Sequence, residues 1–268
     1  MQTMQITLGD LTFAADDSTG YEDFWADLSA GRWEPETILA LRTLLREGSR
    51  FVDIGAWIGP LALTAAAIGA EVDAFEPDPR ALEALERNIA LNPQLADRIF
   101  VHPYAVGAAD TEADLVAPGL GESVSSLDRR HGDRVRVRVR SLDSVARDGI
   151  FRGADAVKVD IEGGEYAILR GLRRHTRDAL PVMLLSTHVA HLRDRLPTQW
   201  PLPLRRVVLH LLGLRQLRVL LWLRHYHYWY VRDAQRWRST NRVRVIARLL
   251  HFSDKEFVLS PRPLGIVR

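Results

Sequence analysis

The chain has 268 residues, of which 47% are hydrophobic and 26% charged, the composition of a globular domain able to bury a substantial core. It contains no cysteine, which excludes disulfides, thiolate metal sites and a cysteine nucleophile. The formal net charge of +2 hides an asymmetry: residues 1–204 carry 22 basic and 31 acidic side chains, residues 205–268 carry 14 basic and 3 acidic, so a basic face is set against an acidic body.

Residues 4–15 alternate weakly and are expected to form a hairpin turning near Gly9-Asp10. The N-terminus lacks a basic region followed by an apolar run, so no signal peptide is expected and cytoplasmic residence is the default. Tyr21 to Leu45 reads as helix, interrupted at Gly31, with Glu34-Pro35-Glu36 opening a second helix. Phe51-Val52-Asp53-Ile54 has the β-branched character of a buried strand. Gly55 and Gly59 flank a turn, Leu61 to Ile68 is helix-forming, and Gly69 stands where that helix stops. Val72 to Phe75 is a second strand with Glu76 at its C-terminal end.

Strand, glycine turn, helix, strand and terminal acid form the unit with which an open parallel sheet holds a nucleoside, the acid accepting hydrogen bonds from the ribose. The turn Gly55-Ala56-Trp57-Ile58-Gly59 lacks the middle glycine of a G-x-G-x-x-G pyrophosphate loop. Asp53 just before it would repel a phosphate and suit a cation. This charge logic favours S-adenosylmethionine, which carries a sulfonium and an ammonium, over a nicotinamide dinucleotide. A tight βα turn with no ligand role is the bland alternative.

Asp78 is placed to cap a helix from Pro79 to Leu91, which Asn92-Pro93 ends, and Ile99 to Tyr104 is a third strand. In Val135 to Arg140, arginine alternates with valine, which reads as an edge strand with a solvated arginine face. Ala156 to Ile161 and Val182 to Thr187 are further core strands around a helix from Gly164 to Leu172. Strands alternating with helices predict an α/β fold, a doubly wound, mostly parallel sheet. Leu202 to Arg238 is rich in leucine, arginine and aromatics and too charged to span a bilayer. It is expected to be a helical cover, or an interfacial membrane or acceptor-binding surface. Glu256 to Pro263 reads as a terminal edge strand. The expected organisation is a single domain: an N-terminal cap (1–48), a cofactor-binding core (49–190), a helical basic and aromatic insertion (191–240) and terminal strands (241–268).

Taken together, VDIGAWIGP at 52–60, FEPDP at 75–79, VKVDIEGGEYAILRGL at 157–172 and PVMLLSTH at 181–188 resemble the FkbM-type family of S-adenosylmethionine-dependent methyltransferases. The resemblance covers about residues 33–190 and implies a class I methyltransferase (Rossmann-like) fold. It also implies methyl transfer to a hydroxyl of a sugar, glycan or other small hydroxylated metabolite. By that resemblance Asp53, Gly55, Ala56, Trp57 and Gly59 surround the methionine end of the donor and Glu76 holds the ribose. Pro77 and Asp78 border the adenine, Tyr104 and Ala105 close the opposite side, and a loop containing Gly121-Glu122-Ser123 with Ser125 and Ser126 lies near donor and acceptor. Many relatives carry asparagine where this chain has Trp57, whose indole either shapes the pocket or packs.

A hydroxyl acceptor must lose a proton, so a general base is needed. Asp160, Glu162, Glu165 and His188 are the candidates, Asp160 also standing beside the donor; Glu165 has a helix-dipole alternative and His188 a structural one. His188 and His191 with Asp160 show no recognised ligand spacing, so no metal is expected. Nucleic acid is not the expected partner, because no proline–tyrosine pair follows Asp160. The rival readings are a catalytically silent S-adenosylmethionine-binding protein whose basic C-terminal surface meets a membrane or anionic glycan, and a nicotinamide oxidoreductase. On the first, residues 202–238 would hold the chain at the inner membrane surface.

Overall fold

The computed structural model describes residues 3–17, 20–117, 132–162, 164–176, 180–188, 200–201, 203, 208, 225–233, 236–241, 244 and 255–266. An N-terminal hairpin, β1 (Thr3–Leu8) and β2 (Leu11–Asp16), turns at Gly9-Asp10 as its alternation predicts. Helices α1 (Glu22–Ser29) and α2 (Pro35–Leu44) follow, and Trp25, Leu28, Leu41 and Phe13 bury this cap against one face of the central sheet.

The centre of the molecule is an eight-stranded sheet. Five of its strands are parallel: β3 (Arg50–Ile54), β4 (Glu71–Phe75), β5 (Ile99–His102), β9 (Ala156–Val159) and β10 (Val182–Thr187), in the spatial order β10-β9-β3-β4-β5. Helix α3 (Pro60–Ile68) joins β3 to β4, and α4 (Pro79–Ala90) leads on through the short α5 (Pro93–Ala96) to β5. The strand order runs outward from β3 toward β5 and then resumes at β9 on the other side of β3. The order in which strands are added therefore reverses between β3 and β9, which remain parallel. At such a switch point the loops leave in opposite directions and open a crevice beyond the carboxyl ends of the strands. Phe51, Val52 and Ile54, with Ala156, Val157 and Val159, are buried on both faces, as central parallel strands require.

Three expectations need correction. Residues 134–140 lie in β8 (Asp133–Ser141), the middle strand of a separate three-stranded sheet between β6 (Ala105–Gly107) and β7 (Thr111–Ala117), not an edge. Its arginines are partnered rather than merely solvated: Arg136 lies 3.4 Å from Glu112 and 3.2 Å from Asp114, and Arg140 pairs with Asp148 at 2.6 Å. Opposite charges across neighbouring strands make that pairing self-consistent. Glu256 to Ser260 belongs to β13 (Lys255–Ser260), which sits inside the sheet, antiparallel to both β10 and β11 (Tyr228–Asp233). The span expected to be helical contains β11 and, within 236–240, β12 (Arg236–Thr240), which form a hairpin at the edge of the main sheet. Trp229 and Trp237 are buried there, and Tyr228-Trp229-Tyr230-Val231 is a run of the aromatic and β-branched residues that favour a strand. Helix α6 (Leu142–Arg147) and α7 (Glu165–Thr176) complete the core. Most of 202–224 lies outside the described residues, as do Gly121 to Ser126 and His191. No helix among the described residues is long and apolar enough to cross a membrane.

Candidate active site

The turn after β3 is shaped by backbone rather than side chains. Gly55 has φ +93°, and a Cβ built on it would stand 1.9 Å from the carbonyl oxygen of Asp160, where β9 ends beside it. The amides of this turn are already committed. Gly55 and Ala56 donate to the Phe75 carbonyl at 3.0 and 2.9 Å, Gly59 donates to the Ala56 carbonyl at 2.9 Å, and Trp57 donates to Glu76 Oε2 at 2.8 Å. Those four amides are not turned outward to cradle a pyrophosphate, which agrees with the missing middle glycine.

Glu76 receives a second backbone hydrogen bond, from Asp78 to Oε1 at 2.8 Å. Burial pushes its carboxyl up to about 8 against the pull of these two amides. Each carboxylate oxygen keeps further lone-pair capacity, so the group is positioned to accept from hydroxyls as well. Asp78 caps α4, accepting from Arg80 at 2.9 Å, and is fully buried. Tyr104 packs edge-on against Phe75, with ring centroids 5.6 Å apart, and Pro77, Tyr104 and Ala105 are not among the residues that line the switch-point cavity. Arg140 donates to Tyr104 Oη at 3.3 Å.

A cavity of about 390 Å3 opens at the switch point. Of the residues singled out from sequence, Asp53, Gly55, Ala56, Trp57, Asp160, Glu162 and His188 line it. Glu76 joins it through the Trp57 amide, and Glu165 through His188. Gly59, with φ +92°, starts α3 behind the turn. Ser125 and Ser126 lie outside the described residues.

Asp53 is 1% exposed, and neither of its oxygens has a hydrogen-bond partner. Burial pushes its carboxyl up to about 7, with Asp160 and Glu34 adding to the rise and Lys158 opposing it. Lys158 is the register neighbour of Asp53 on β9, but its ammonium lies 2.6 Å from Asp160 Oδ2. Burial alone would lower the Lys158 pKa; the carboxylates of Asp160, Glu34 and Asp53 outweigh it and raise it. Burial likewise works against the ionised Asp160, yet Lys158 and His188 hold its carboxyl below the usual range.

His188 lies among three carboxylates. Nδ1 is 2.8 Å from the fully buried Glu165, and Nε2 is 3.6 Å from Asp160 and 3.5 Å from Glu162. Burial disfavours its charge, but Glu165, Asp160 and Glu162 overcome that and raise it to about 9. A histidine raised from 6.5 to about 9 stabilises the fold fully below pH 6.5 and loses that contribution as pH climbs through 9. The stability of the wild-type chain, measured by urea unfolding, is therefore expected to fall by roughly 3 kcal/mol relative to His188→Gln between pH 6.5 and 9. Parallel pH profiles of the two proteins would show that the carboxylates do not hold the charge.

The rest of the lining was not singled out. Trp33 and Glu34 come from the cap, Ser186 and Thr187 from β10, Arg232 from β11 and Glu256 from β13. Arg232 pairs with Glu256 at 2.8 Å. Three of the four described non-glycine residues with positive φ line this one cavity: Glu34 (38°), Trp57 (52°) and Glu162 (52°). Backbone held in that region costs on the order of 1–3 kcal/mol per residue and concentrates at functional sites. Trp57 also packs edge-on against Tyr21 and Phe24, with centroids 5.4 and 4.5 Å apart, so its indole both packs and lines.

Comparison with known proteins adds a family. Residues 53–228 match the model of the methyltransferase FkbM domain. A ribosomal protein L11 methyltransferase of Desulfitobacterium hafniense is 38% identical over 88 residues, 31% of this chain and 28% of that protein. An FkbM methyltransferase structure from Methylobacillus flagellatus aligns at 20% identity and a TM-score of 0.47, over 91% of this chain and 56% of that one. A SAM-dependent methyltransferase from Agrobacterium tumefaciens aligns at 13% identity and a TM-score of 0.43, over 98% and 71%. The chain thus spans little more than a quarter of the matched curated protein and just over half of the M. flagellatus chain.

Proposed function

The chain belongs to the methyltransferase FkbM family, and we propose that it is an S-adenosylmethionine-dependent O-methyltransferase acting on a hydroxyl of a sugar, glycan or other small hydroxylated metabolite. The observation that carries this reading is the buried Asp53 carboxyl group, without a hydrogen-bond partner, in a cavity shared with the His188 cluster. An orphaned buried carboxylate fits a cationic ligand, and S-adenosylmethionine supplies an electrophilic methyl group on a sulfonium. Asp53, the glycine turn and Glu76 are the residues that would hold it.

The charge in the cavity also bears on the acceptor. Glu34, Asp53, Asp160, Glu162 and Glu256 face Lys158, Arg232 and His188, so carboxylates outnumber cations even with the imidazole protonated. That excess opposes phosphorylated or carboxylated acceptors, nucleic acid among them, and admits neutral polyols. His188 Nε2, between Asp160 and Glu162 at the cavity wall, is the base that takes the acceptor proton, while Glu165 orients the ring from Nδ1. The surrounding carboxylates keep the imidazole protonated up to about 9, so positive charge entering the cavity is needed to bring it toward neutrality.

The test is transfer of labelled methyl from S-adenosylmethionine to a panel of neutral sugars and their phosphorylated counterparts, at pH 7 to 9.5. Transfer to neutral acceptors, rising with pH and reduced about 100-fold or more in His188→Gln, is the expected result. Transfer only to phosphorylated acceptors would contradict the charge argument. Donor binding with no transfer to any hydroxyl would favour a silent binding protein.

A further inference from the structure

Glu34 belongs to the N-terminal cap, outside the span that the family model matches, and its side chain reaches the donor cavity. Its Oε2 is buried and has no hydrogen-bond partner, the same condition as both oxygens of Asp53. The cavity's own cations do not relieve either residue by hydrogen bonding. The Lys158 ammonium is held by Asp160 at 2.6 Å, the Arg232 guanidinium by Glu256 at 2.8 Å, and the His188 ring by Glu165 at 2.8 Å. Leaving a buried carboxylate oxygen without a donor is costly, and the cost falls on a residue whose backbone is itself in the left-handed region, with φ 38° at the start of α2. The cavity therefore presents two carboxylates that lack N–H or O–H donors.

We propose that Glu34 and Asp53 together grip the α-ammonium of the methyl donor, so that the N-terminal cap forms one wall of the donor site. This rests on the methyltransferase reading and assigns within it a residue that the family match does not reach. The chemistry selects the ammonium. The sulfonium carries no hydrogen to donate, and the donor's own carboxylate would be repelled. The ammonium offers three N–H groups, enough for one bond to each carboxylate and one to a backbone carbonyl. Glu34 is accordingly a binding residue. Donor occupancy ties the cap to the sheet through it.

Two probes separate the amino-acid end of the ligand from the nucleoside end. S-adenosylhomocysteine carries the α-ammonium, and 5′-methylthioadenosine lacks the whole amino-acid end. In calorimetric titrations Glu34→Gln is expected to weaken S-adenosylhomocysteine about 10- to 100-fold while leaving 5′-methylthioadenosine unchanged. In hydrogen exchange of the wild-type protein, S-adenosylhomocysteine is expected to protect the amides of residues 34–45 more than 5′-methylthioadenosine does. Unchanged S-adenosylhomocysteine affinity in Glu34→Gln would overturn the inference, with the methyltransferase reading intact. Equal weakening of both probes would overturn it too, because Glu34 would then be acting on the fold. Failure of the wild-type protein to bind either probe would be the failure of the methyltransferase reading itself.

Discussion

Gly55→Ala is expected to destabilise the protein by about 3–5 kcal/mol and to abolish donor binding. Two penalties act at this position. The backbone has φ +93°, a conformation an L side chain adopts only under strain. The new methyl would also lie 1.9 Å from the Asp160 carbonyl oxygen and 2.9 Å from its carbonyl carbon. The end of β9 is held against β3 at this point, because the Asp160 amide donates to the Ile54 carbonyl at 3.0 Å. Relief requires the ends of β3 and β9 to part, which would carry Asp53 and Asp160 away from each other. Gly149→Ala isolates the first penalty: its φ is +87° with nothing within 4 Å of the added carbon, so it should cost only about 1–2 kcal/mol. Equal losses for the two variants in denaturant unfolding would show that β3 and β9 do not approach as closely as the structure has them.

Glu76→Ala is expected to weaken S-adenosylhomocysteine binding by more than about 100-fold and to cost about 2–4 kcal/mol of stability. The carboxylate has two tasks. It would accept from the ribose, and it accepts from the amides of Trp57 and Asp78, each at 2.8 Å. Removing it leaves one buried and one part-buried donor unpaired and frees the glycine turn from the end of β4. Loss of binding with no loss of stability would mean that those two amides find other partners. Retained binding would mean that Glu76 does not hold the ribose.

The parts of the site legible in the sequence are those built from neighbours along the chain. Asp53, Gly55 and Glu76 belong to one strand–turn–helix–strand unit, in which glycine placement and a terminal acid have a local physical meaning. Asp160 and His188 each directly follow a buried strand of the parallel sheet, which sets them at its carboxyl edge. Lys158 gave a weaker signal, a lone ammonium inside an otherwise apolar strand, and its importance follows only from its register with Asp53. Glu34 reads in the sequence as no more than the opening of a helix before a proline. Arg232 and Glu256 reach the cavity because β13 and β11 continue the sheet beyond β10, and that pairing joins residues far apart in sequence. The same non-local pairing misled the expectation for 134–140. Whether an arginine-striped strand is an edge depends on a partner such as β7, whose Glu112 and Asp114 alternate too weakly to announce it. The helical expectation for 228–240 extends the leucine- and arginine-rich character of the preceding residues over a Tyr-Trp-Tyr-Val run whose aromatic and β-branched side chains favour a strand.

A switch-point cavity and glycine turn that hold a methyl donor rather than a dinucleotide should bind S-adenosylhomocysteine and not NADH. Isothermal titration of the purified chain with S-adenosylhomocysteine, with NADH in a parallel cell, tests this most directly. Micromolar binding of S-adenosylhomocysteine, lost in Asp53→Ala and Glu76→Ala, with no heat from NADH, is the predicted result. Binding of NADH alone would contradict it, because it would require the turn amides now bonded to Phe75 and Glu76 to face a pyrophosphate instead.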